Sequence, residues 1–290
     1  MPSPRIALVT CRPQPEYDRD LPVLARAVAR AGADVHVVGW DDPDVDWAGF
    51  DLAVIRSTWD YSLRADAYVA WAERCGRLTR LANPAPVVRW NTDKRYLGEL
   101  AAAGVPTVPT YYCPPGEKPE LPAGDGEFVV KPTSGAGARY AARYRTEERD
   151  TALAQIARMH GEGYTAMVQP YMRRIDTTGE RALVFLGGQY LHAIRKGAVL
   201  APGTAYDADK IPHPDLRPWE ATAAELDVAA RALKAVPDAP ELLYARVDLV
   251  DGPEGDPLVM ELELVEPNLF LAPHPGSLPH VVEHILKAAV

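Results

Sequence analysis

In the N-terminal third of the chain, short apolar runs alternate with amphipathic stretches, and this alternation limits the fold more than any other feature. Ile6-Ala7-Leu8-Val9, Val35-His36-Val37-Val38 and Leu52-Ala53-Val54-Ile55 each have the length of a buried strand. Asp20 opens a helix with Pro22 in its first turn, a stripe of Leu21, Leu24, Ala25 and Val28, and a stop at Gly32. A later helix carries Tyr68, Trp71 and Cys75 at helical spacing. Strands alternating with helices in this way predict a parallel sheet covered on both faces. Ligands of such sheets sit beyond the carboxyl ends of the strands. The segment Arg56-Ser57-Thr58-Trp59-Asp60-Tyr61 leaves the third strand at that end. It is placed to touch a ligand, although Trp59-Asp60-Tyr61 also reads as core aromatics with a capping Asp.

The pattern changes after Gly104. Thr92 is the expected cap of a helix carrying Leu97, Leu100 and Ala101. Phe128 to Lys131 and Arg139 to Tyr144 read as strands joined by a glycine-bearing loop. Ala166 to Gln169 is a further strand. Arg181 to Leu186 and Tyr190 to Lys196 flank Gly187-Gly188, a hairpin signal. Residues 197–217 are polar and too long for an ordinary connection, as a lid would be. Trp219 to Val236 reads as a helix with Leu226, Ala229, Ala230 and Leu233 inward. Tyr244 to Val250 and Leu258 to Val265 form a second hairpin, and a last helix buries Val282, Ile285 and Leu286.

The 290 residues suit two domains at roughly 150 residues each. A net charge of −9 gives no overall field for gathering nucleic acid or anionic membrane, so neither partner is expected. No apolar run approaches the roughly 18 residues of a membrane span. Cys11, Cys75 and Cys113 are odd in number and widely spaced, which argues for a reducing, cytoplasmic location.

The second hairpin carries the most informative chemistry. Glu261 and Glu263 project from one strand face, with Met260, Leu262 and Leu264 on the other. Folding the hairpin sets Asp248 nearly opposite Glu261, with Arg246 on the face of Asp248. Three converging carboxylates repel one another unless a cation lies between them, and hard oxygen ligands select Mg²⁺. A solvated sheet face is the ordinary alternative. In the first hairpin, Glu180 and Arg181 fall beside Arg195 and Lys196, cations able to neutralise a transferred phosphoryl group or to form a plain cross-strand salt bridge. Ser134-Gly135-Ala136-Gly137 offers unobstructed backbone N–H groups to phosphate oxygens, with Lys131 just upstream; a flexible turn is the alternative. Gln169-Pro170-Tyr171-Met172 can hold a flat ring against apolar side chains. His280 and His284 lie four apart on the last helix, without a third ligand of suitable type nearby. GxSxG, HExxH and CxxC are absent, and Thr10 to Pro15 is nothing like a dinucleotide-binding glycine turn.

In the order of these parts the whole chain resembles the ATP-grasp superfamily of carboxylate–amine ligases. The fold implied is an N-terminal doubly wound α/β domain (1–90) and an ATP-grasp domain (91–290). Its two α+β subdomains, a lid (about 120–172) and a metal-binding part (about 173–290), enclose ATP. Asn91-Thr92-Asp93-Lys94 resembles the segment of the first nucleotide-binding lysine, and Phe128 to Pro132 with Ser134, Gly135 and Gly137 the second lysine, Lys131, and its phosphate flap. Gln169, Tyr171 and Met172 match the adenine hinge. Asp176 and Glu180 match ribose and metal-side contacts, with Arg181 beside the substrate. Arg195 matches the arginine that steadies an acyl phosphate, with Lys196 and Arg246 as further catalytic cations. Asp248 and Glu261 match the two metal carboxylates; Glu263 stands where many members have Asn, and Asn268 is too far along to fill that slot. The resemblance thus implies ATP and Mg²⁺, a small amino-acid-like carboxylate near Arg56, Ser57, Asp60, Tyr61 and Asn268, and an assembly that in this superfamily is often a homodimer. Ile55 to Tyr61 with Glu261 to Pro267 is similar to the branch containing D-cycloserine synthetase, a cyclo-ligase acting on O-ureido-serine. A ligase joining two molecules and a noncatalytic nucleotide sensor are the alternatives.

Overall fold

Strand β1 (Arg5–Thr10) lies at the middle of the first sheet and sends alternate side chains into two separate cores. The computed structural model describes residues 3–12, 18–123, 126–200 and 215–290. After β1 come α1 (Asp20–Arg30), β2 (Asp34–Gly39), β3 (Leu52–Ser57), α2 (Ala65–Leu78) and β4 (Arg80–Ala82). The four strands are parallel in the order β2-β1-β3-β4. Ile6, Leu8, Leu52 and Val54 pack with Leu21, Leu24 and Val28 of α1, while Ala7, Val9, Ala53 and Ile55 pack with Tyr68, Trp71 and Cys75 of α2. Both faces are covered, as the apolar runs require.

Two short helices follow, α3 (Ala85–Asn91) and α4 (Tyr96–Ala102). Thr92 does not cap the second of them. It closes α3, its hydroxyl donating to Arg89 O at 3.1 Å, and Asp93 instead accepts from the Arg95 N–H at 2.9 Å. The second sheet contains β5 (Tyr111–Cys113), β6 (Glu127–Pro132), β7 (Ala142–Arg145) and, after α5 (Arg149–Gly161), β8 (Ala166–Pro170). It is antiparallel, in the order β5-β8-β6-β7. Strand β7 starts three residues later than the sequence suggests, because Ala138 and Tyr140 take positive φ and lengthen the glycine loop.

After the single-turn α6 (Ile175–Thr178), the third sheet holds β9 (Glu180–Leu186), β10 (Gln189–Lys196) and β11 (Arg217–Trp219). The remaining elements are α7 (Ala223–Lys234), β12 (Tyr244–Asp251), β13 (Pro257–Glu263) and α8 (Leu278–Ala288). Strand order is β11-β10-β9-β12-β13. The expected helix from Trp219 is shorter: Trp219 pairs with Ala193 in the sheet, and a Thr222–Glu225 capping box starts α7. Its buried face is Glu225, Val228, Ala229 and Ala232, because Glu225 turns inward to Arg181. Helix α8 packs beside α1, closing the chain back onto the first sheet. Two buried asparagines tie the layers together. Asn83 donates to Tyr244 O and Leu264 O, and Asn91 donates to Leu262 O and accepts from the Leu264 N–H.

Candidate active site

The second and third sheets face each other across a cavity of 620 Å³. Strand alternation decides what each sheet shows it. Val129, Lys131 and Gln169 line the cavity, while Val130 and Val168 sit in the apolar core beneath α5. From the opposite sheet come Glu180, Lys196, Arg246, Asp248, Glu261 and Glu263. One end of the space is apolar, walled by Val108, Met172, Ile175 and Met260. Met260 was expected on the core face. A bulge in β13 pairs Asp248 with Glu261 but Leu249 with Val259, so Val259 is buried in the core and Met260 lies on the cavity side.

The other end is charged. Asp248, Glu261 and Glu263 bring carboxylate oxygens within 4.8 Å of one another. Arg246 Nε and Nη2 each donate to Asp248 at 2.7 Å, and Nη2 also pairs with Glu263. Lys196 Nζ lies 2.7 Å from Asp248 and pairs with Glu180. Lys94 Nζ sits 3.0 Å from Glu261 and donates to Gly135 O at 2.6 Å. Lys131 lines the same space with no ion-pair or hydrogen-bond partner among the described residues.

These neighbours push the carboxyls apart in acidity. Burial raises Asp248, but the charges of Arg246 and Lys196 outweigh it and hold it well below the usual range. Burial likewise opposes ionisation of Glu261, which Lys94 and Lys131 reverse. Glu263 is pushed up to about 8, by burial first, with Asp248 and Glu261 repelling its charge against the pull of Arg246. Glu180 is pushed up to about 7, chiefly by burial. Burial lowers Lys131, with Glu261 opposing and the ammonium of Lys94 reinforcing. Three hard oxygens at this spacing fit a divalent ion such as Mg²⁺.

The structure brings together most of the residues singled out in the sequence. Lys94, Lys131, Gly135, Gly137, Gln169, Tyr171, Met172, Glu180, Lys196, Arg246, Asn268 and the three carboxylates all line the cavity. Others stand outside it. Arg195 and Arg181 lie on the opposite sheet face from Lys196 and Glu180, since neighbours on a strand alternate. Arg195 is held by Thr177 O, Thr178 O and Asp215, and Arg181 by Glu225, Gly179 O and Asp251. Ser134 is not in the wall, and its buried Oγ has no hydrogen-bond partner among the described residues. Asp176 accepts from the Tyr171 hydroxyl at 2.5 Å and from Arg143, beside the cavity rather than in it.

The side chains of residues 56–61, Trp59 apart, are also turned away. Arg56 donates to Pro267 O at 2.8 Å, Ser57 shares a hydrogen bond with Thr10, Asp60 accepts from Trp40 and Arg64, and Tyr61 is buried against Tyr68. Only Trp59 of that segment reaches the cavity wall. The wall there is instead completed by Arg19, Asp20, Arg139, Glu266 and Phe270. The Arg19–Asp20 pair was findable: it follows β1 at the same carboxyl edge that drew attention to residues 56–61. Glu266 carried no sequence signal beyond its acidity. His280 and His284 lie on α8, with His284 Nδ1 against His280 O at 2.9 Å, and belong to no metal-type cluster among the described residues. Of the suggested lid, 201–214 lie outside the described residues.

Residues 6–83 match the family described as D-cycloserine synthetase DcsG, N-terminal domain. The chain is 40% identical over 283 residues to the cycloserine biosynthesis protein DcsG of Streptomyces lavendulae, with 92% of each protein covered. The crystal structure of D-cycloserine synthetase DcsG superposes with a TM-score of 0.89 at 35% identity, over 99% of this chain and 100% of that one. D-alanine–D-alanine ligase from Bacillus anthracis, complexed with ATP, superposes with a TM-score of 0.70 at 14% identity, over 99% and 97%, a likeness of fold. No helix among the described residues is long and apolar enough to cross a membrane.

Proposed function

Because this chain belongs to the D-cycloserine synthetase family of ATP-grasp ligases, we propose that it uses ATP to activate the carboxylate of a small amino acid, O-ureido-D-serine or a close analogue, for attack by a nitrogen of the same molecule. The observation that carries this reading is the polarity of the cavity. An apolar slot at one end suits a purine ring, and the other end gathers lysines, arginine and carboxylates as a triphosphate and its counter-ion require.

Adenine lies between Met172 and Met260, beside Gln169. Lys94, Lys131 and the N–H groups around Gly135 and Gly137 hold the phosphates. Asp248, Glu261 and Glu263 would hold Mg²⁺, which when bound neutralises phosphate charge and polarises the group being transferred. The substrate carboxylate attacks the γ-phosphorus and ADP leaves; the nitrogen then attacks the carbonyl carbon of the acyl phosphate, the carbon–oxygen bond to phosphate breaks, and the departing phosphate takes the proton the nitrogen loses. Arg246 and Lys196 face that reaction and stabilise charge on the carbonyl oxygen and the departing phosphate. Arg19, Asp20, Trp59 and Asn268 form the wall against which the amino-acid end of the substrate is oriented. Rate gain comes from positioning and charge, without a protein nucleophile.

The test is ADP release by the purified protein with ATP, Mg²⁺ and each of a panel of D-amino acids, followed by mass analysis of the product. The reading expects O-ureido-D-serine, or a close analogue carrying the attacking nitrogen in the same molecule, to drive ADP formation and a ring-closed product. A requirement for a second amine makes the protein a ligase of two molecules. ATP binding with no stimulation by any amino acid makes it a nucleotide sensor.

A further inference from the structure

We propose that Thr110 is the positioning residue through which the nucleotide site selects a 6-amino purine, because it fixes which end of the Gln169 amide faces the cavity. The proposal rests on the nucleotide reading above. Thr110 precedes β5, and continuing the β5–β8 register sets it opposite Gln169. Its hydroxyl donates to Val108 O at 2.9 Å, and Val108 is itself fixed by its N–H to Val259 O at 3.0 Å. A hydroxyl has one hydrogen to give. With that hydrogen committed to Val108, the Thr110 oxygen acts as an acceptor, and it takes the Gln169 Nε2 hydrogen at 2.9 Å.

Gln169 is 2% exposed and lines the cavity beside its cross-strand neighbour Val129. Its Oε1 has no partner among the described residues. Turning the amide over would set Oε1 against a hydroxyl oxygen whose hydrogen is engaged elsewhere, two acceptors face to face. The amide carbonyl is therefore the end presented to the base. It accepts a hydrogen bond from a 6-amino group, whereas a 6-oxo purine meets it acceptor to acceptor. A site built to hydrogen-bond one substituent rejects the analogue that lacks it strongly.

The experiment is calorimetric binding of ATP and of inosine triphosphate to the wild type, T110S and T110V in the presence of Mg²⁺. Wild type and T110S are expected to prefer ATP by ~10-fold or more. T110V, which removes the hydroxyl but keeps the shape, frees the amide to turn; the preference then falls several-fold, with inosine triphosphate binding tighter than to the wild type. The double variant T110V/Q169E should recover the preference for ATP, because a carboxylate has no hydrogen to offer a 6-oxo group. A merely structural role for Thr110 would weaken both nucleotides alike and leave their ratio alone. If T110V does not fold, T110A removes the same hydroxyl and is read in the same way. Equal affinities in the wild type, or a ratio unchanged in the Thr110 variant, overturn the proposal. Failure of the wild type to bind either nucleotide overturns the nucleotide reading itself.

Discussion

Lys94 Nζ stands 3.0 Å from Glu261 Oε1 and donates to Gly135 O at 2.6 Å, so one ammonium joins the carboxylate cluster to the glycine loop. Helix α4 begins just beyond Lys94, and three separate parts of the chain thereby meet at one charge. K94M should lower turnover by ~10²-fold or more, as loss of one preorganised charge-stabilising group does. The check is ADP release at saturating ATP and amino acid, with circular dichroism showing an intact fold. Wild-type turnover would place Lys94 outside the chemistry.

Arg246 and Arg195 make opposite predictions although both were marked in the sequence. Arg246 is buried, doubly bonded to Asp248 and open to the cavity; Arg195 serves Thr177 O, Thr178 O and Asp215 on the far side of the sheet. R246A should reduce turnover by ~10²–10³-fold. R195A should leave it within a small factor of wild type. The reverse order in steady-state kinetics would mean that the faces are misassigned.

The Arg181–Glu225 pair tests the scaffold instead. Its side chains are 3% and 5% exposed, and Glu225 also accepts from Trp219 and the Thr222 N–H. R181M strands a buried carboxylate and should destabilise the protein by ~3–5 kcal/mol in denaturant titration, with activity per folded molecule retained. Burial pushes Glu225 up, but Thr222, Arg181 and Trp219 bring it below its usual range. Its stabilising contribution is therefore present above the unfolded carboxyl pKa and lost as pH falls through the folded one. In E225Q that acid-side loss should be smaller.

Glu263 gives the opposite pH sign. Held at about 8 against an ordinary 4.5, it keeps its proton more firmly in the folded protein than in the unfolded chain. The stability this gives is complete below the unfolded pKa and declines as pH rises towards about 8. A divalent ion must displace that proton, so Mg²⁺ affinity should rise with pH and binding near neutrality should release a proton. Calorimetry in two buffers of different ionisation enthalpy measures the release, and E263Q should reduce it. Binding with no proton release in the wild type would contradict the assignment of Glu263 as a ligand.

Much of the site was legible because strand periodicity acts locally. Two residues apart on β13 put Glu261 and Glu263 on one face, and hairpin closure set Asp248 opposite Glu261, as the register shows. The parallel first sheet followed from apolar runs that have no polar face. The same periodicity separates Arg195 from Lys196 and Arg181 from Glu180, which a reading by proximity in the chain grouped together. Met260 escaped because a bulge adds one residue and reverses its face. Residues 56–61 lie at the expected strand edge, yet bonds to Pro267, Thr10 and Trp40 turn the side chains of Arg56, Ser57 and Asp60 away and leave only Trp59 at the wall, a choice made by tertiary packing. Thr110 acts through a partner distant in sequence, Gln169, which no local pattern reveals.

The account stands most directly on Glu261, the carboxylate shared by the cluster and Lys94. ADP release by E261Q, driven by O-ureido-D-serine at saturating ATP and Mg²⁺, is the deciding measurement, with the thermal transition recorded alongside. Turnover reduced by ~10³-fold or more, in a protein that melts as the wild type does, is the result expected when a metal-holding carboxylate is lost. Turnover within a few-fold of wild type would show that these carboxylates do not support the reaction.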